Sequence, residues 1–560
     1  MSSTVYYNIF FMLGGIAIMM FGMKFMGSNL EQVAGNNMKN MLSKMTSNRF
    51  AGVGVGAAVT AIINSSTATT VMLVGFVNVG LMTLAQATSV IMGANIGTTI
   101  TAQILSLSGT GAIDINAIAA LICAGGMITT MVCKKDRVKK IGFIFIGIGM
   151  IFIGLKIMSK SVNEIIYIDN EHTELSPFFE KVFQNENVFP LLLILIGIVF
   201  TALIQSSAAI TGILIALGSA INFRTAVFII LGSNIGTCIT SIISSIGTST
   251  NAKRTAIIHL LFNLFGCIIC IVPIWIWTAE IGNFMSSISG GSMERMIANF
   301  HTFFNLLTTI ILIPFTKQLV VLAEKIIPSK NDKQEEKHRL TFIDDRLLET
   351  PPIAVSNTKK EIIKMADIAK ENIDLAMNML LDNTVDEKEL LHDNEDALNF
   401  LNKSITSYLT KIMARNISRK DEKMVGSFYH VVTDLERVGD YAENILEYSE
   451  RLRGSNIDFS SEAKEELKQV IETVDKLHDK CVYTFEKSVD TELKEIDRLE
   501  EMVDEATVKL EEKHIERLRN GNCTPELGSI YLQTVSNLER VGDHLTNIAF
   551  SILNYEKSYT

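Results

Sequence analysis

Residues 205–212 read QSSAAITG and follow LLLILIGIVFTALI, residues 191–204. An amide and two hydroxyls in the middle of a run of membrane length decide how the whole chain is read. A buried polar side chain costs free energy unless it is hydrogen-bonded. In hydrocarbon, broken backbone is tolerated only against protein or a wet cavity. The stretch therefore predicts an interrupted helix whose tip faces an internal polar site. Neutral oxygens suit a hard cation. Hydroxyls and the free N–H groups of a helix start suit an oxyanion.

The stretch has a second copy. Residues 56–66 read GAAVTAIINSS and residues 197–207 read GIVFTALIQSS, both fitting G-x-x-x-T-A-x-I-[NQ]-S-S at an offset of 141. Downstream, GANIGTT from Gly93 matches GSNIGTC from Gly232 at an offset of 139. Two motifs recurring in one order indicate an internal duplication. Small polar residues also serve as packing contacts between membrane helices, and for any single serine that reading is the stronger. The paired occurrence turns the balance toward a binding site. The candidates are Asn64, Ser65, Ser66, Thr67, Asn95 and Thr98 in copy one, and Gln205, Ser206, Ser207, Asn234 and Thr237 in copy two. Thr67 is matched by Ala208, so the copies are not equivalent.

Charge divides the chain. Residues 1–330 carry 19 Lys and Arg against 12 Asp and Glu, whereas residues 331–560 carry 31 against 48. The front half holds clear apolar runs at 6–27, 141–158, 256–278 and 301–327, each near the roughly 20 residues a membrane helix needs. The first lacks a basic start and a small-residue cleavage site, so it is read as a retained helix. Basic residues gather in 28–50, 134–140 (KKDRVKK) and 248–255, and acidic ones in 161–187. Positive loops face the cytoplasm. The expected topology has the N-terminus, 161–187 and 279–300 outside, and the chain entering the cytoplasm near residue 328. The two copies then lie in opposite orientation, the plan of many secondary carriers.

Acids and bases are scarce in these spans. Asp114 lies near a loop, and Lys24 and Lys156 lie near helix ends, which argues for a neutral-ligand cation site and against a proton pump. The motif H-x-x-F-N occurs twice, at His259–Asn263 and His301–Asn305. An interhelical hydrogen bond explains it at least as well as a transport role. Cys267 and Cys270 form the sole C-x-x-C, inside an apolar helix, and read as core. No P-loop, G-x-S-x-G or H-E-x-x-H is present, so an enzyme is not expected.

The Q-S-S and N-S-S elements, the G-x-N-I-G-T pair and H-x-x-F-N together resemble the bacterial sodium/phosphate cotransporter family over about residues 5–325. That resemblance implies two inverted repeats with re-entrant hairpins, about 28–107 and 161–247, in a membrane domain over 1–328. It also implies sodium as co-substrate and inorganic phosphate as cargo at the candidate residues above. Asn64 stands where the family usually has Gln, one methylene shorter, which puts the ligand geometry of copy one in question.

Residues 329–354 read as a polar linker. From 355 to 560, long 3.6-residue periods break near 383–386, 415–421, 453–461, 487–492 and 519–526, which predicts two three-helix units in a soluble six-helix bundle. LERVGD recurs at 435–440 and 538–543. Glu436 with Asp440, Glu539 with Asp543, and Glu500 with Asp504 are spaced i,i+4, while Glu395 faces Asn399. Carboxylates so grouped can bind hard or transition metals; in an acidic segment a solvated face is the competing reading. The repeat resembles the PhoU family of phosphate-signalling proteins over about 340–555, which implies divalent, iron or zinc ions at these carboxylates and a regulatory role.

The expected protein is thus all-α: a polytopic, sodium-coupled phosphate carrier of the cell membrane with a cytoplasmic PhoU-like regulator. Expected partners are the lipid bilayer, a regulatory protein at the bundle and a second copy in a homodimer, with no nucleic acid. A carrier of another anion, a phosphate exporter and a membrane-tethered phosphate sensor remain alternatives.

Overall fold

The computed structural model describes residues 3–43, 48–109, 115–168, 171–172, 177, 180–185, 188–328, 340–415 and 417–553. Asp114, parts of the segments 28–50 and 161–187, and linker residues 329–339, weighed above, lie outside the described residues. The chain divides into two compact units, Met1–Asn331 and Asp332–Thr560. Apart from a two-residue antiparallel ladder, Tyr167–Ile168 on Glu171–His172, the described elements are helical.

The first unit begins with α1 (Ser3–Ser43). Copy one follows as α2 (Arg49–Ile63), α3 (Ser66–Asn78) and α4 (Leu84–Ser106). Next come α5 (Ile115–Val132) and α6 (Asp136–Ile166). Copy two is α7 (Pro190–Ile204), α8 (Ser207–Leu217) and α9 (Phe223–Ser244). The unit closes with α10 (Thr250–Ile276), α11 (Thr278–Ser289), α12 (Met293–Leu312) and α13 (Thr316–Ile326). Among the described residues, five segments are long and apolar enough to cross a membrane: Val5–Ala34, Asp136–Ile166, Phe223–Ser244, Thr250–Ile276 and Met293–Ile326. Phe223–Ser244 is not an obvious apolar run, because Ser233, Asn234, Thr237 and Ser241 interrupt it; all four are buried against protein. The run 301–327 is not one α-helix. Pro314 lacks an N–H, and the chain passes through a 3-10 turn at Ile313–Phe315.

Glycines set how closely these helices cross. On α1 and α6, a Cβ at Gly15 would lie 2.8 Å from Gly154 O, and one at Gly22 would lie 2.9 Å from Gly147 O. In copy one, a Cβ at Gly93 would collide with Val53 O and one at Gly97 with Ala57 O. In copy two, Gly232 stands in the same relation to Ile194 O and Gly236 to Ile198 O. Advancing along α4 advances along α2, so the two helices run parallel, and α9 runs parallel to α7. Since α3 alone joins α2 to α4, it must double back. The Thr60 hydroxyl donating to Thr69 Oγ1 at 3.0 Å, across the break, shows that it does.

Partner helices follow the opposite rule. Gln103 of α4 donates to Asn299 and Thr302 of α12, while Thr309 further along α12 donates back to Met92 O. The pair is antiparallel. Cys238 and Ser241 of α9 meet His259 of α10, and Asn263 reaches back to Cys238, so this pair is antiparallel too. Arg254 near the start of α10 donates to Ile327 O beyond α13, and Gly266 lies against Phe304 and Thr308. Hence α10 runs against α12, and by parity α4 and α9 point in opposite directions.

The second unit is a bundle of α14 (Pro351–Leu381), α15 (Lys388–Met413), α16 (Arg419–Ser455), α17 (Ser461–Lys487), α18 (Leu493–Arg519) and α19 (Pro525–Phe550). The helices end where the periodicity breaks. Ser418, Ser460 and Thr524 accept first-turn N–H groups at three of the starts, as good N-caps do. Helices α14–α16 and α17–α19 form three-helix groups that meet through α14 with α17 and α16 with α19. Residues 340–354, read as linker, are part of this unit. The N–H groups of Thr341 and Phe342 donate to the buried Glu361 carboxylate at 2.9 and 2.5 Å, and Tyr408 donates to Asp344 O at 2.8 Å. Proline at the first turn of α14 loses no helix bond there.

The glycine crossings give a direct test. Gly232→Ala places a methyl group against backbone that cannot yield and should cost about 1–3 kcal/mol, read as a lower thermal unfolding midpoint of the detergent-solubilised chain. Gly54→Ala in α2, with nothing within 4 Å of its Cβ, should leave the midpoint unchanged.

Candidate functional site

The two broken helices match angle for angle. Asn64 ends α2 at φ 56°, ψ 26°, and Gln205 ends α7 at φ 59°, ψ 25°. Ser65 and Ser206 follow at φ −148°, ψ 106° and φ −149°, ψ 109°. Each tip amide closes its helix by donating its backbone N–H to Thr60 O or Thr201 O at 2.7 Å. Each serine caps the returning helix, Ser65 Oγ accepting from Ala68 N at 3.1 Å and Ser206 Oγ from Ala209 N at 3.2 Å. A left-handed residue at a helix end is ordinarily glycine. Here both copies place a side-chain amide there, at the cost of some backbone strain.

Ser66 and Ser207 open α3 and α8 and are buried. The first N–H groups of those helices have no intrahelical acceptor and give each tip a partial positive charge. The tips touch: the Thr67 hydroxyl donates to Gln205 O at 3.3 Å. Ala208 has no hydroxyl to return this bond, so the contact is one-sided. A similar difference lies one turn in from the tips. Thr60 pairs with Thr69, whereas the buried Thr201 hydroxyl has no partner, since Ile210 replaces Thr69.

The structure brings Asn64, Ser65, Ser66 and Thr67 together with Gln205, Ser206 and Ser207. Asn95, Thr98, Asn234 and Thr237 are buried on α4 and α9, and the hydrogen bonds found for their side chains stay on their own helices. Asn95 and Asn234 donate to Ile91 O and Ile230 O, both at 3.0 Å. Thr98 donates to Ala94 O at 3.1 Å and Thr237 to Asn234 O at 2.6 Å. The residue of α4 that reaches the tip is one the motif reading missed: Thr101 donates to Asn64 Oδ1 at 3.1 Å. Its signal was available, because Thr240 stands at the same place in copy two.

In the bundle, Glu395 is 5% exposed and its Oε2 has no hydrogen-bond partner. Its Oε1 accepts from Asn399 at 3.1 Å. A Cβ at Gly439 would lie 2.8 Å from Glu395 Oε2, so glycine in LERVGD makes room for this carboxyl. Burial first, then the charges of Glu443, Asp440 and Glu436, push the Glu395 carboxyl up to about 7. Glu443 was not among the candidates, although it continues the Glu436–Asp440 stripe by one turn. In the second repeat, carboxylate oxygens of Glu500, Asp504 and Asp543 lie within 4.8 Å of one another. Glu539 is not one of that trio, although the charges of Asp543 and Asp504 reach it, and it lies 4.0 Å from Arg540. Among the described residues, Glu500, Asp504 and Asp543 are the carboxylates close enough to share one ion, and Glu395, Glu436 and Asp440 do not form such a group.

Against known proteins, the model of the Na+/Pi-cotransporter family matches residues 18–160 and 175–290, and that of the PhoU domain matches 362–449 and 467–552. The chain thus carries a Na+/Pi-cotransporter match in its first half and PhoU domains in its second. It is similar along its length to proteins of Salmonella typhimurium and Escherichia coli K12 named "Putative inorganic phosphate export protein YjbB", at 23% and 24% identity, covering 97% of each chain. YqeW of Bacillus subtilis, at 28% identity, covers 55% of this chain and 95% of its own. A Thermotoga maritima phosphate-specific transport system accessory protein, PhoU homolog 1, is 29% identical over 35% of this chain and 85% of its own. With its apolar helices and this family, the chain is a membrane protein, and its second half is an all-helical PhoU unit.

Glu395 sets a pH dependence. Its carboxyl lies above its ordinary value in the folded bundle, so its favourable contribution is complete below pH 4.5 and is lost as pH rises through about 7. In metal-free buffer, Glu395→Gln should gain thermal stability relative to the wild type across that window. Equal midpoints of the two full-length proteins at both ends of it would contradict the shift.

Proposed function

We propose that this protein carries inorganic phosphate across the cell membrane, coupled to sodium, by alternating access of one site between the two tips. The observation that carries this is the pair of backbone-identical breaks joined by the Thr67–Gln205 bond. Asn64, Ser65, Ser66, Thr67, Gln205, Ser206 and Ser207 offer amide and hydroxyl oxygens to sodium, and O–H and N–H groups to phosphate. Asn95, Thr98, Asn234 and Thr237 line the helices behind them. The arms α2, α3, α7 and α8 have 15, 13, 15 and 11 residues. Each is at most about 22 Å long, too short for a hydrocarbon core of about 30 Å. That length supports re-entrant hairpins, and the opposite run of α4 and α9 supports an inverted pair of repeats. The PhoU unit lies in the cytoplasm, where the basic loops place the chain after residue 328, and regulates the carrier through its carboxylate clusters.

Export is the second reading, favoured by the printed names of the two full-length relatives. The same site serves either direction, and ion gradients choose between them.

The test is phosphate flux in proteoliposomes with sodium gradients of either sign. The wild type should move phosphate with sodium, and Ser206→Ala/Ser207→Ala should lose about tenfold or more of the rate, the scale of hydrogen bonds to a charged ligand. Thr67→Val should reduce it less, since it removes one neutral bond. Phosphate binding with no flux in either direction would favour a sensor.

A further inference from the structure

The seam between α9 and α10 has an imbalance of donors and acceptors that the transport site does not use. The single proton of the Ser241 hydroxyl goes to Cys238 O at 2.8 Å. The contact of the same oxygen with His259 Nδ1, at 3.1 Å, is then one in which the ring N–H donates. In a neutral imidazole this leaves Nε2 with the lone pair. Nε2 is buried with no partner. One turn along the same face, Asn263 spends its two N–H groups on His259 O at 3.1 Å and Cys238 Sγ at 3.3 Å. Its Oδ1 is likewise buried with no partner. His259 and Asn263 are 0% and 1% exposed. Two orphaned acceptors therefore share one helix face.

The second H-x-x-F-N lacks this arrangement. The register of α4 on α12 puts His301 opposite Ala102, which stands where α9 has Ser241. Both ring nitrogens of His301 are buried without a partner, so nothing there selects a tautomer.

A buried acceptor pair calls for a donor. Hard cations prefer oxygen ligands, whereas an imidazole nitrogen with a free lone pair is the protein's ordinary proton acceptor near neutral pH. We propose that His259 and Asn263 form a proton site within the membrane unit. A proton from solvent adds to His259 Nε2, Nδ1 keeps its own, and the resulting imidazolium presents an N–H on the face that carries Asn263 Oδ1. The added proton gives Nε2 a donor on the helix face it shares with Asn263.

The surroundings hold few competing charges. Helices α3 and α4 have no titratable side chain; α9 has Arg224 and Cys238, α11 has Glu280, and α12 has Glu294, Arg295 and His301. On α13 are Lys317, Glu324 and Lys325, and on α10 itself Lys253, Arg254, Cys267 and Cys270. Of these, Cys238 touches His259. Cys238 directly follows Thr237, so protonation acts on the helix that carries the copy-two candidates. The site rests on the seam's geometry; its link to flux rests on the transport proposed above.

The test is nitrogen-15 NMR of histidine-labelled, full-length protein in lipid nanodiscs, titrated from about pH 8 to about pH 4. The His259 signals, identified by their loss in His259→Gln, should report Nδ1–H and a bare Nε2 at the start and imidazolium at the end. Asn263→Leu should move the midpoint down by about one pH unit, the scale of a hydrogen bond to a charged group. Should His259→Gln not fold, Ser241→Ala identifies the same signals by mixing the two tautomers. An Nε2–H tautomer at the start, a ring that stays neutral throughout, or an unmoved midpoint in Asn263→Leu overturns the proposal. In parallel, the pH profile of phosphate flux should flatten in His259→Gln and persist in His301→Gln. If the wild type moves no phosphate, the transport reading falls and the NMR titration alone decides the proton site.

Discussion

A helix broken inside a membrane must find a partner for every backbone group it frees, because hydrocarbon offers none. That requirement shapes the whole first unit. At each break the chain reverses with one left-handed residue and one extended serine, and the returning helix is capped by that serine's own oxygen. The fit is local and economical, but it holds only if the tip is shielded. Shielding requires the neighbouring helices to come very close, which explains the glycines where α2 meets α4 and α7 meets α9. Side chains at those positions would hold the helices apart.

Duplication supplies the two tips, and divergence makes them different. Thr67 links the tips from one side alone. Thr60 pairs with Thr69 where copy two has Ile210, and Ser241 pairs with His259, whereas His301 of the other H-x-x-F-N has no partner. Each difference is a single side chain on a shared backbone. The two halves of common origin therefore present unlike polar groups to one another.

The PhoU unit follows the same logic with charge in place of backbone. Its helices place carboxylates where burial disfavours them, and Gly439 clears the space that lets Glu395 sit inside. Such a cluster is sensitive to whatever neutralises it, proton or cation. This gives the bundle a physical means of responding to its medium.

The duplication, the helix breaks at the polar tips and the six helices of the bundle were all legible in the residues, because each follows from local rules: periodicity, capping and the cost of polar groups in an apolar run. The span Phe223–Ser244 was obscured for the same reason, since hydropathy counts its polar residues without knowing that protein covers them. Contacts between distant segments were not legible. That Thr67 meets Gln205, that Thr101 rather than Thr98 reaches Asn64, that Glu443 joins Glu395, and that residues 340–354 belong to the bundle depend on how helices far apart in sequence are set side by side. By itself the sequence determined which residues are polar, where helices stop and which motifs are paired. The tertiary structure decided which of those polar atoms face one another and which are left without a partner, because hydrogen bonding depends on distance and direction that spacing along a chain does not carry.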